Sequence, residues 1–198
     1  MRTKAPLGIK LLRIAIISQI IVALSALVPG VALAHWKKCQ NGYKLRWESS
    51  NATYFYPNNW SSRYANATDN AAASITNNTD FSFQKGASAN SADVSWHKDN
   101  YGNSGWDGLA HRTWTESSTA CYLYKVDTYY NTYWTGGYTA GATQSVGIHE
   151  TGHAIGMKHV NDQCTLNSIM QPAYDCRWKQ KAIKTVQAHD ISDINATY

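Results

Sequence analysis

No stretch of the chain is apolar for long enough to span a bilayer: the run from Ile14 to Val28 is about 15 residues, whereas a membrane-crossing helix needs ~20. No Cys-x-x-Cys pair occurs among Cys39, Cys121, Cys164 and Cys176, so a cysteine-ligated metal site is not expected. Internal repeats and low-complexity linkers are also lacking, and one domain is therefore expected rather than several. A strong charge bias is missing too, once the N-terminus is set apart.

The first 34 residues read as a secretory signal. Arg2, Lys4, Lys10 and Arg13 precede the apolar run, and Ala32-Leu33-Ala34 puts small residues where a signal peptidase reads. Cleavage after Ala34 is expected, giving a signal peptide at 1–34, a single domain of ordinary size at 35–198 and no stable membrane anchor. Four of the 18 basic residues leave with the signal, so 14 stand against 13 acidic ones and the formal net charge falls from +5 to +1. A nucleic-acid partner loses its main support. A secreted, extracellular chain meets an oxidising environment, and four cysteines suggest two disulfides, with three pairings open.

What is there begins with short alternating segments. Thr53–Tyr56 reads as a first strand, stopped by Pro57-Asn58-Asn59. Ser61 to Asn77 carries Tyr64, Ala67, Ala71 and Ile75 at spacings of three and four, which predicts a long amphipathic helix with Ser61 or Ser62 as its cap. Phe81-Ser82-Phe83, Ala92 to Trp96 and Cys121 to Asp127 read as further strands, and a polar, glycine-rich loop runs from Lys98 to Gly108 into Leu109-Ala110-His111. Another helix is predicted from near Ala142 or Thr143 to near Gly156, and a closing helix within Thr185–Tyr198, with Val186, Ile191 and Ile194 on one face.

The informative stretch is His149-Glu150-Thr151-Gly152-His153-Ala154-Ile155-Gly156-Met157-Lys158-His159. Residues four apart on a helix share a face, so His149 and His153 can point at one ion, with Glu150 projecting beside it. Neutral imidazoles suit Zn²⁺, and a catalytic zinc uses three protein ligands and keeps one position open. Gly156 can take a positive φ, end the helix and swing His159 back as the third ligand. This pattern implies a hydrolase with His149, His153 and His159 on one catalytic zinc and Glu150 as general base.

The motif resembles that of the metzincin metalloproteases, His-Glu-x-x-His-x-x-Gly-x-x-His, without departure. The resemblance implies a methionine turn beneath the metal, assigned to Met170 in Ser168-Ile169-Met170-Gln171-Pro172. Within that group the chain is most similar to the matrixins: Ala92-Asp93-Val94 and Trp106-Asp107-Gly108-Leu109-Ala110-His111 resemble their runs Ala-Asp-Ile, Phe-Asp-Gly and Leu-Ala-His, Met170-x-Pro172 matches their turn, and His189-Asp190-Ile191 resembles their C-terminal helix. The implied fold is α+β, a zincin/metzincin catalytic domain with a small, twisted, mostly parallel sheet, a long N-terminal helix, an active-site helix and a C-terminal helix. Pro172 stands where other metzincins place a metal-facing tyrosine, so Tyr174 is not expected to be a ligand. Cys164 with Cys176 is the preferred pairing, because it brackets Met170, leaving Cys39 with Cys121. Cys39 lies too near the expected mature start to belong to a zinc-capping pro-segment.

Matrixins commonly hold a structural zinc as well. His97, Asp99 and His111 resemble three of its ligands, but Cys121–Asp127 contains no histidine, and a second zinc there is not expected. Calcium (Ca²⁺) at Asp93 or Asp107 is admitted by the resemblance, although no cluster of carboxylates demands it. The resemblance thus implies a secreted, monomeric zinc metalloendopeptidase acting on protein or peptide substrates. The alternative is a secreted zinc-containing binding or adhesion module: eight tryptophans and thirteen tyrosines, none in the signal, could stack on polysaccharide.

Overall fold

The computed structural model describes residues 35–161 and 164–198; the signal expected at 1–34 lies outside the described residues. Strand β1 (Asn51–Phe55) buries Ala52 and Tyr54 on one face of its pleat. Helix α1 (Ser62–Thr76) then crosses over the sheet and returns the chain as β2 (Ser82–Lys85), parallel to β1. Parallel neighbours require such a crossover. The face of α1 that the spacing predicted, Tyr64, Ala67, Ala71 and Ile75, is buried, and Ser61 occupies the N-cap, although its hydroxyl makes no capping bond.

Strand β3 (Val94–Asp99) lies parallel to β1 on its other side, and β5 (Cys121–Asn131) lies parallel to β3. Strand β4 (Gly108–Glu116) closes the sheet as its one antiparallel edge, with an irregularity between Thr113 and Trp114. The order is β2-β1-β3-β5-β4. A short helix α2 (Thr132–Thr135), helix α3 (Ala140–Ala154), a π-helical segment (Asp175–Gln180) and α4 (Ala188–Asn195) complete the chain. This is the expected α+β architecture, with α1 packed against α3 over the sheet.

Four strands run further than their local pattern indicated: β2 continues past Phe83 to Lys85, β3 continues past Trp96 and takes Lys98 and Asp99 from the expected loop, and β4 and β5 are extended as well. β5 continues past Asp127 to Asn131 because β3 and β4 bond it from both sides through that stretch. β4 begins at Gly108, where the sequence shows only the end of a polar loop, and takes its strand form from pairing with β5.

Part of the aromatic complement goes into the core, while Tyr43, Tyr101, Trp114, Tyr124, Tyr133 and Trp134 stay exposed. Trp60, Tyr64, Trp96 and Tyr130 meet with ring centroids 5.0–6.4 Å apart, and Trp36 and Trp47 are buried as well. The cysteines pair as Cys39–Cys121 and Cys164–Cys176. Among the described residues no helix is long and apolar enough to cross a membrane.

Candidate metal centre

Helix α3 starts two residues before the expected point because the Thr139 hydroxyl accepts a hydrogen bond from Ala142 N at 3.2 Å and caps its first turn. It carries His149 and His153 one turn apart. At its end Gly156 has φ +101°, a conformation that side chains rarely adopt, and a Cβ there would collide with the Leu45 carbonyl. The chain reverses at this point. His159 Nε2 arrives 3.1 Å from His149 Nε2 and 3.0 Å from His153 Nε2.

Each of the two helical imidazoles is held from behind. His149 Nδ1 lies 2.6 Å from Ile169 O, and His153 Nδ1 lies 2.9 Å from Met157 O. A carbonyl can only accept, so both Nδ1 atoms carry the proton and both Nε2 atoms present a lone pair. Burial also favours neutral rings: desolvation pushes His149 well below the usual imidazole range, His153 down to about 3, and His159 downward, with Arg177 and Arg112 nearby adding to the effect. His159 Nε2 thus stands 3.0–3.1 Å from each of the other two Nε2 atoms, close to the ~3.3 Å edge of a tetrahedron with ~2.0–2.1 Å metal–nitrogen bonds, and all three lie within 4.8 Å of one another. The donor set fits Zn²⁺.

The expected methionine turn lies directly beneath. Met170 is fully buried, and its sulfur fills the space that a side chain on Gly152 would need, so the glycine inside the motif is there for close approach. The same turn supplies the Ile169 carbonyl that orients His149. Asp190 on α4 fixes the turn in place, accepting from Ser168 Oγ at 2.5 Å and from Ile169 N at 3.0 Å.

Glu150 is 3% exposed, and its Oε2 has no hydrogen-bond partner among the described residues. Burial raises its pKa to about 8; Arg177 and Arg112 pull the other way. The carboxylate and the three histidines line one cleft of about 670 Å³, together with Gly108, Leu109 and Ala110 of the edge strand β4 and Pro172, Ala173 and Tyr174 beyond the methionine turn. Tyr174 stacks on Tyr138 at 4.5 Å between centroids, as a wall of the cleft.

Two arginines at this centre carry no spacing signal in the sequence. Arg112 Nη1 donates to Met157 O at 3.0 Å, the carbonyl that also orients His153. Arg177, 1% exposed, donates to Gln171 O at 2.8 Å and Ser145 Oγ at 3.2 Å, with Asp107 Oδ2 at 3.9 Å. Only the fold brings them to the motif. Of the other candidates, His97 Nε2 lies 2.9 Å from Asp127 Oδ1, and His97, Asp99 and His111 are not gathered closely enough to share an ion among the described residues. Asp93 Oδ2 accepts from Thr53 N and Oγ1 at 2.7 and 2.9 Å, tying β1 to β3.

A mostly parallel sheet with a three-histidine centre, two from its last long helix and one from the turn after it, above a buried methionine turn, defines a metallopeptidase of the metzincin type. The chain belongs to the matrixin family: the family model (Peptidase_M10, Matrixin) matches residues 36–198. That family uses a catalytic zinc, and the donor set here suits one. None of the curated proteins matches the chain.

Proposed function

We propose that this protein is a secreted zinc-dependent endopeptidase, with the metal held by His149, His153 and His159 and with Glu150 as general base. The observation that carries this reading is the buried carboxylate of Glu150, with no hydrogen-bond partner at Oε2 among the described residues, in the cleft where three imidazole Nε2 atoms converge. When bound, zinc supplies a Lewis acid that polarises the scissile carbonyl and acidifies water. A cation at the histidines would draw the Glu150 pKa down from the value that burial alone imposes, leaving the carboxylate ready to accept a proton.

Glu150 then takes one proton from the attacking water and returns it to the leaving amine nitrogen as the carbon–nitrogen bond breaks, giving a carboxylic acid, which ionises to solvent, and an amine. Strand β4 supports an extended peptide as substrate, because it is the sheet edge and Gly108–Ala110 face the cleft. Secretion follows from the leader expected at 1–34, and two disulfides suit an oxidising compartment. The test is a broad peptide library incubated with the full chain. Internal cleavage abolished by a chelator and restored by zinc is expected; no cleavage by the zinc-loaded chain would overturn the reading.

A further inference from the structure

A second cluster of ligand-type side chains lies apart from the cleft residues, where the first described residue meets the closing helix. His35 Nδ1 and His189 Nε2 are 2.9 Å apart, and each is 3.5 Å from Asp193 Oδ2. These spacings resemble those among the three cleft histidines. His189 and Asp193 stand four apart on α4 and so share one face of it. His35 is brought to them by its own segment, in which Trp36 bridges Met157 and the His35 carbonyl accepts from Lys158 N at 2.7 Å.

We propose that His35, His189 and Asp193 hold a second divalent transition-metal ion, of the borderline class that zinc represents. Two imidazoles and one carboxylate form a donor set suited to that class. The Asp193 side chain is 1% exposed, and its Oδ1 has no partner among the described residues. Burying a carboxylate with one oxygen unpaired is costly, and an ion on the facing oxygen would neutralise its charge. The two imidazole side chains, 14% and 19% exposed, leave the cluster open to an ion from solvent.

His35 N also lies 3.1 Å from Asp193 Oδ2. Cleavage after Ala34 would turn that nitrogen into an amine, a further donor able to chelate together with Nδ1 of the same residue. An ion here would fasten the N-terminal segment to α4. Because His35 also holds Lys158, the residue before His159, the fastening reaches the chain reversal that delivers the third cleft histidine.

The test counts zinc bound to the full chain after saturation and removal of loosely held metal. Two ions are expected for the parent and one each for His189→Gln and His35→Gln. His153→Ala should retain one, which His153→Ala combined with His189→Gln should lose. Zinc should raise the melting temperature of His153→Ala but not of the double variant. Retention of the cleft ion by His189→Gln reports that it is folded, and His35→Gln makes the same test from the other segment. The proposal is overturned if both single variants bind as many ions as the parent, or if the ion kept by His153→Ala survives in the double variant. A second ion that is absent from the parent would overturn it equally, whatever the activity of the cleft.

Discussion

His149 and His153 are useful to a metal because their far nitrogens are already committed. With Nδ1 of each donating to a backbone carbonyl, the rings cannot turn away, and burial keeps them unprotonated. The sign of the pH dependence follows. The ligand pKa values are depressed in the fold relative to 6.5, so protons compete with the metal only below the ordinary imidazole range, and binding persists until pH falls well under 6.5. Zinc content of His189→Gln, which keeps only the cleft ion, should show a midpoint below 6.5 in stepwise acid dialysis; half-release at or above 6.5 would mean that the rings are not held as described. Gly156 bears the other local constraint. Gly156→Ala places a side chain at φ +101° and against the Leu45 carbonyl, a conformation that costs about 1–3 kcal/mol before the collision is counted. A lowered melting temperature and reduced zinc occupancy are expected; an unchanged melting curve and zinc content would contradict the account. The histidines, Glu150 and Gly156 were legible in the sequence because a helix and one reversed turn set their relations locally. Arg112, Arg177 and Asp107 were not, since each reaches the centre through tertiary packing.

At the level of elements, the methionine turn is held by a helix that follows it in the chain. Asp190 accepts from Ser168, from Ile169 and from Gln187 N, the last at 2.9 Å, so one buried carboxylate both caps α4 and fixes the turn under His149. Asp190→Ala leaves those donors unpaired in the interior and should lower the unfolding free energy by about 1–3 kcal/mol. Denaturant titration checks this; a variant as stable as the parent would show that the turn does not depend on α4. The amphipathic face of α1 was readable because its period is set by the helix itself. The start of α3 was misread because Gly141 looks like a breaker, whereas it packs in the first turn against the Trp178 ring and Thr139 supplies the cap. The far half of β5 was hidden for a different reason: its strand form depends on partners that are distant in sequence.

Across the whole molecule, the parallel strands position α3, the antiparallel edge strand β4 forms one side of the cleft, and the segment after the methionine turn forms another. The disulfides brace this arrangement at two places. Cys164–Cys176 joins the approach to the turn with the segment carrying Arg177, and Cys39–Cys121 joins the N-terminal segment with β5. The sheet order was not legible, because short strands announce their presence but not their neighbours, and the mostly parallel arrangement came from the resemblance to a known family. The central claim is that one group of residues holds the metal while Glu150 moves protons. It is tested most directly by measuring zinc content and peptide cleavage side by side for the parent, Glu150→Ala and His153→Ala. Glu150→Ala should keep the parent's cleft zinc and lose hydrolysis by about 10²–10⁴-fold, the usual contribution of general acid–base catalysis, whereas His153→Ala should lose both the cleft zinc and the activity. Cleavage by Glu150→Ala at the parent's rate would contradict the account.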